Sequence, residues 1–543
     1  MALRILPLLA GSAVAVALAS PLPAAAQEGH RHGGLGRLGR VSFPVSCTAE
    51  ARRRFEHAMA LLHSFWWEEG ERAFGAVLEA DSTCAMAHWG RALNAWGNPL
   101  AGGPAGPGLA RGGEAAARAA ERPLPTPREQ GFVNAAAALY RDPDGRSNAE
   151  RLRAYADTLA RLHRDFPTDA EVTIYRALAM VATAPRTDTT FAQQRQAVGL
   201  LDPLYERHPD HPGLAHYLIH STDSPALAPL GLDAARRYSR IAPAAPHAQH
   251  MPSHIFVRLG LWDETVAANR QSFDAGVAHS RSTGTRPSTH ELHALDYAVY
   301  GYLQRGHDSA ARRGAATGAA LRAESTLPAL IADYNRTAMA ARIPLERGDW
   351  AGAAAFPAPG SGDRGVAVML RRFTRAVGAA RSGAPAAARP EVAALDAAAR
   401  DLAAGQEPYW SRVAEIKRDA AQAWVHFQSG DTAAGLALAA AAADSEDVTD
   451  KHPVTPAELL PARELQADML LAATRYREAI AAYRATLARE PGRARSLFGL
   501  GRAAELAGDR RAAAEAYGKY VEAMRGGDGA RPQIAVARKF LRR

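Results

Sequence analysis

RYREAIAAY (Arg475–Tyr483) and DRRAAAEAY (Asp509–Tyr517) decide the architecture, because Arg475, Ala479 and Tyr483 recur 34 residues later as Asp509, Ala513 and Tyr517. A fixed period of this length marks stacked helix-turn-helix units, each unable to bury its apolar face alone. Pro491 closes the helix between the copies, and Ser496–Gly499 places a small residue where the next helix packs closely. Far upstream, AFGAVLEADSTCAMAHWGRAL aligns with AYRATLAREPGRARSLFGLGRAA, setting Phe74 on Tyr483, Leu78 on Leu487 and Gly90 on Gly499. The same helix pair therefore stands at both ends of the chain.

Between those ends a hairpin turn G-x-x-x-x-A recurs as GHDSAA from Gly306 and GDWAGA from Gly348. GLWDET from Gly260 and GDTAAG from Gly430 are variants with Thr265 and Gly435 at the small-residue position. Glycine relaxes the backbone at a helix end, and a small residue five positions on lets two helices approach. In these motifs the chain resembles the tetratricopeptide-repeat (TPR) family, strongly over 474–525 and 49–97 and as degenerate hairpins elsewhere. CAMAHWG, HPGLAHYLIH and HAQHMPSHIF are similar to segments of large exported bacterial members. The resemblance implies an all-α solenoid, a superhelix of TPR-like hairpins with degenerate central repeats, and commonly the binding of a protein or peptide; it implies no reaction.

Composition agrees with a helical array. The 543 residues exceed what one hydrophobic core usually holds, and an Ala-rich chain with 7% aromatics favours helix. A net charge of +9 invites a nucleic-acid reading, yet only Lys417, Lys451, Lys519 and Lys539 are lysines and the arginines alternate with acids. No basic run interleaved with aromatics occurs, so a solvated helical surface explains the charge and no nucleic-acid partner is expected.

Residues 1–26 have the shape of a secretory signal: Arg4, an apolar run from Ile5 to Ala19, and Ala24-Ala25-Ala26 as a cleavage pattern. The run is shorter than the roughly 20 residues a bilayer span needs, so an exported, periplasmic or secreted protein without a membrane span is expected. In an oxidising compartment Cys47 and Cys84 can form a disulfide. The alternative is two separate buried thiols, and a Cα separation beyond about 7 Å would exclude the bond. The expected order is a flexible leader over 27–40, N-terminal hairpins over 41–100 and a Gly/Pro-rich surface loop over 101–128 enclosing a short helix. There follow His-rich central repeats over 129–308, Ala-rich hairpins over 309–400, and a C-terminal TPR array over 401–543. FPAPGSGDRG (Phe356–Gly365) interrupts the Ala-rich part.

Eleven of the nineteen histidines lie between His208 and His307. His216 and His220 are four apart and share a helical face, while Leu214 and Leu218 form a second stripe about 200° around. If the leucines enter the core, the histidines face the concave groove. His247, His250 and His254 form one stripe if their helix is continuous; the alternative, since Pro252 is comfortable only in a first turn, is a helix that starts near Met251 and leaves His247 and His250 in its approach. Ser288 and Glu291 predict a capping box that starts a helix near Thr289, carrying His290 and His293 with Asp296 and Tyr297 close by. HELH lacks the spacing of a zinc-protease signature, whose second histidine would fall at Ala294.

Three readings follow. His216, His220, His250, His254 and His293 can bind a transition metal, zinc, copper or iron, with His247, His290, Asp223, Asp296, Tyr217 and Tyr297 in supporting or ligand-binding roles. The same residues can line a groove for an acidic or peptide ligand. Or they are core and cap histidines bonded to backbone, Asp223 or Asp296. Convergence of at least three ring nitrogens within about 4 to 5 Å separates the first from the third. The functional expectation is an exported scaffold whose concave face presents the His-rich patch to a protein or peptide, with a metal-dependent enzyme or metal carrier as the alternative. No Gly-rich phosphate loop, G-x-S-x-G elbow or CxxCH haem motif occurs, so nucleophilic serine or thiol catalysis has no support.

Overall fold

Helix follows helix from Ala49 to Leu541, and nearly every helix packs on its neighbour in sequence as a hairpin. The computed structural model describes residues 36–185, 188–323 and 329–543. Among these, 26 α-helices and two 3-10 turns occur, an all-α array of sequential helical hairpins. The glycines of the predicted hairpin turns, Gly260, Gly306, Gly348 and Gly430, all have φ between +68° and +92°, the left-handed conformation that ends a helix without a Cβ penalty. Thr265, Ala311 and Ala353, five residues on, are fully buried where the second helix crosses the first.

The aligned ends pack alike. A Cβ on Gly90 would overlap the Phe74 ring, and a Cβ on Gly499 would overlap Tyr483. Each aromatic ring therefore lies on a helix backbone and holds the pair at glycine distance. Cys47 and Cys84 are bonded, with Cα atoms 5.3 Å apart, tying the approach of the first helix to the start of the third.

Two stretches differ from expectation. Residues 101–128 hold a 15-residue helix, Gly106–Ala120, rather than a loop with a short helix inside. Pro107 begins that helix, and Gly112 faces Tyr140 where no Cβ would fit. The Gly and Pro signals thus mark a helix start and a close approach. The signal-like segment and most of the expected leader lie outside the described residues. Residues 36–40 run against the array: the Arg40 amide donates to the Asp210 carbonyl at 3.0 Å, the Ala244 amide donates to the Arg37 carbonyl at 3.2 Å, and Leu38 is buried.

The C-terminal repeats return onto the centre. Trp262 Nε1 donates to the Gly492 carbonyl at 3.1 Å, and Arg531 donates to the Leu303 carbonyl at 2.9 Å. Tyr297 donates to the carbonyls of Pro453 and Thr455, both at 3.1 Å, fixing the irregular segment 448–461 beside the central histidines. Buried arginines lock this closure: Arg493 meets Glu464 at 2.7 Å and Glu346 at 2.9 Å. No described helix is long and apolar enough to cross a membrane.

Candidate metal centre

Four helical segments bring the histidines together. His216 and His220 stand one turn apart on Pro212–Thr222; His247 and His250 lie on Pro246–His250; His254 lies on Pro252–Leu259; His290 and His293 lie on Thr289–Gln304. Met251 keeps helical angles between the two short helices, so Pro252 starts a new helix without turning the chain away. Ser288 starts the last of these segments, accepting from the His290 amide at 3.2 Å and donating to Glu291 at 2.7 Å.

The rings sort into two triads. In the first, His216 Nε2 lies 3.0 Å from His220 Nε2 and 3.2 Å from His247 Nε2. In the second, His250 Nε2 lies 3.0 Å from His254 Nε2, with the His293 ring centroid 4.3 Å from that of His250. In both triads the candidate donor nitrogens all fall within 4.8 Å of one another. The triads adjoin, since the His220 and His254 centroids are 6.0 Å apart, as are those of His247 and His250.

The outer ring nitrogens settle the tautomers. His254 Nδ1 lies 2.8 Å from an Asp223 carboxylate oxygen. His250 Nδ1 lies 2.6 Å from Asn269 Oδ1, whose amide nitrogen already donates to the Thr265 carbonyl at 2.7 Å. His216 Nδ1 lies 2.6 Å from the His63 carbonyl. Each of these partners only accepts, so each Nδ1 carries the proton and each Nε2 offers a lone pair. His250 and His254 therefore face each other through two lone pairs at 3.0 Å, a repulsive contact unless a cation sits between them. Three nitrogens about 2.0 to 2.1 Å from one tetrahedral ion stand roughly 3.3 Å apart, close to the spacings seen here.

Burial keeps these rings neutral. It holds the His216 imidazole down at about 3 and His290 at about 4, and it drives His220, His247, His250 and His293 well below the ordinary histidine range. For Asp223 burial acts upward, but Lys451 and Arg258 outweigh it and, with His254, hold the carboxyl well below the usual carboxylate range. Arg258 Nε meets Asp223 at 2.8 Å and Lys451 Nζ lies 3.6 Å away.

The structure brings together all five histidines proposed as ligands from sequence, in two places rather than one, and adds His247 to the first triad. Leu214 and His216 are equally buried, whereas His220, one turn on, is only part-buried and faces a cavity, so of the two histidines His220 alone reaches open space. Asp223 supports His254. Asp296 instead pairs with Arg342 at 3.2 Å, both fully buried, and burial, opposed by Arg342, raises its carboxyl to about 6. The Tyr297 hydroxyl is committed to the 453–455 backbone, and the Tyr217 hydroxyl contacts His63 Nδ1 at 3.0 Å. Asn269, Arg258 and Lys451 had no signal in the sequence. His290 stands beside His247, centroids 5.5 Å apart, and its Nε2 is buried without a hydrogen-bond partner.

A third group differs in kind. Glu171 bridges His63 Nε2 at 3.1 Å and His211 Nε2 at 2.9 Å, while His211 Nδ1 accepts from the Leu214 amide at 3.3 Å. Protons alone satisfy this group, which braces the His63 carbonyl that His216 uses.

A cavity of about 1110 Å³ opens over the triads. His220, His247, His254, His290 and His293 line it together with Trp67, Trp96, Pro453 and Val454, while His216 and His250 are not part of its lining.

No protein-family model matches the chain, and no curated protein matches it significantly. Among solved structures, a monomeric mutant of IFIT1 with Gppp-AAAA is 12% identical, covering 88% of this chain and 96% of that one at a TM-score of 0.33. Yeast Tom70 is 10% identical, covering 90% and 95% at a TM-score of 0.27. A structure of Naa15/Naa10 bound to HypK-THB is 12% identical, covering 90% and 73% at a TM-score of 0.23.

Proposed function

We propose that this is a metal-binding helical-repeat protein whose two histidine triads each hold one transition-metal ion at the cleft. The observation that carries the reading is the His250–His254 pair, two lone pairs held face to face by acceptors that fix both outer nitrogens. Fixed tautomers of this kind are how proteins orient histidine ligands. His216, His220 and His247 hold the first ion, and His250, His254 and His293 the second. Asp223, Asn269 and the His63 carbonyl orient them. The donor set suits zinc, copper or iron rather than an oxygen-seeking ion. Elemental analysis of protein purified without chelators is expected to give about two ions per chain, and fewer in a His250→Ala/His254→Ala variant. No stoichiometric metal, and no uptake on titration with zinc, copper or iron, would end the reading.

The cleft also favours a second role, recognition of a protein or peptide segment, since Trp67, Trp96, Arg91 and Glu71 give it apolar and charged walls. Such a scaffold would take a chain end or extended loop into the cavity. Binding of peptides unchanged in metal-stripped protein would favour that role. Export to an oxidising compartment fits the signal-like leader and the Cys47–Cys84 bond, and N-terminal sequencing of the mature protein tests it.

A further inference from the structure

We propose that the two triads form one dinuclear copper centre that takes up dioxygen between its ions; this rests on the metal reading above. Three observations carry it. The triads adjoin at two places, with His220–His254 and His247–His250 centroids each 6.0 Å apart, so ions about 2 Å from their nitrogens fall within reach of one small bridging group.

The second observation is charge. Six imidazoles are neutral donors; Asp223 is committed to His254, Arg258 and Lys451, Asp296 to Arg342, and Glu71 on the cavity lining to Arg91, while Glu68 is an acid that shares the cavity. Two divalent ions would bring four positive charges against a set of six neutral donors, a costly arrangement at low dielectric. Two cuprous ions bring half as much, and imidazole is a good copper ligand. When each cuprous ion gives one electron to dioxygen, two Cu(I) and O2 become two Cu(II) and a bridging peroxide. Copper–oxygen bonds form, the O–O bond order falls from two to one, and no proton is consumed. The dianion supplies the counter-charge that two cupric ions need.

The third observation is access. His220 and His247 of one triad, and His254 and His293 of the other, line the same cavity while His216 and His250 are not part of its lining. Each ion therefore has its open side toward shared space large enough for dioxygen and a further small molecule. His290 lines the same cavity beside His247, and its Nε2 is buried without a hydrogen-bond partner.

The test is anaerobic loading of the purified chain with Cu(I), elemental analysis, and then admission of dioxygen with absorption and electron paramagnetic resonance spectra. Two coppers per chain, an oxygen-dependent charge-transfer band and a silent resonance spectrum are expected, because paired cupric ions couple through the bridge. His254→Ala is expected to keep one copper, lose the band and give a cupric signal. His293→Ala, checked by circular dichroism, serves the same purpose if the first variant does not fold. Two coppers with a full cupric signal and no band overturn this inference and leave the metal reading standing, as does retention of two zinc ions but no copper. Retention of neither metal overturns both.

Discussion

His250 Nε2 and His254 Nε2 stand 3.0 Å apart with both protons on the far side of the rings, one held by Asn269 and the other by Asp223. Filling that gap with a cation removes a repulsion that folding otherwise has to carry. Metal is therefore expected to stabilise the native state, by about 2.7 kcal/mol at a free concentration a hundredfold above its dissociation constant. Thermal melts with and without a chelator check this. Identical midpoints in both conditions would contradict it.

Asp223 has two duties, which makes its removal informative. It fixes the His254 tautomer, and it neutralises Arg258 and Lys451 in a buried setting. Asp223→Asn is expected to leave Arg258 and Lys451 with Asp450 still nearby as an acid partner, Arg258 meeting it at 3.1 Å, a loss of up to about 3 kcal/mol, the low end for broken buried pairs. Metal affinity at the second triad should fall by about 10- to 100-fold. Urea unfolding reads the first effect and competition with a chromophoric chelator the second.

The histidines around Asp223 also mark the limit of legibility. The His216/His220 pair could be read from sequence, because helical periodicity puts both rings on one face; for His250 and His254 Pro252 left the helix's continuity open, and the two stand on consecutive short helices. Asp223 was visible as a nearby carboxylate. What could not be read is how the rings are shared: His247 is three residues from His250 yet belongs to the other triad, because the Pro212–Thr222 helix lies against its side of the turn. That choice is made by packing between helices, not within one. Asn269 shows the same limit, being a polar residue in an ordinary amphipathic helix until the fold sets it under His250. The hairpins were easier, since Gly90, Gly260, Gly306 and Gly499 act locally. The Gly106–Ala120 helix was obscured because glycine for close packing and glycine for a loop look alike in sequence.

The disulfide closes a separation of 37 residues between the first and third helices. Loop-closure entropy for that length corresponds to about 3 to 4 kcal/mol. Cys47→Ser/Cys84→Ser is expected to lower stability by this order, read as a lower denaturation midpoint with a steeper slope as the unfolded chain expands. An unchanged midpoint would mean that the N-terminal hairpins hold without the link.

Gly90 lies under the Phe74 ring as Gly499 lies under Tyr483. Gly90→Val adds bulk where the ring touches the backbone, and overpacking of this kind costs about 1 to 3 kcal/mol. A paired Phe74→Ala change should recover part of the loss by opening space. A double variant no more stable than the sum of the two single changes predicts would refute the direct contact.

Glu464 gives the acid limit of the C-terminal closure. It is fully buried, accepts from Arg493 at 2.7 Å, Arg495 at 2.9 Å and Ser496 at 2.5 Å, and links the last repeats to Glu346 through Arg493. Burial alone would raise its carboxyl, but Arg493 and Arg495 outweigh it and hold the group down at about 2. Its unfolded counterpart titrates near 4.3, so the unfolded chain binds this proton first as pH falls. The stabilisation is thus complete above about pH 5 and is lost progressively as pH falls from there through about 2; it amounts to about 3 kcal/mol at 1.36 kcal/mol per pKa unit. Denaturant titrations between pH 6 and pH 3 are expected to show falling stability, with a shallower slope in Glu464→Gln, which is already less stable at neutral pH. Equal slopes in the two proteins would move the acid sensitivity to another carboxylate, with Asp223 and Glu171 next in line because both are buried and held low by cationic or histidine partners.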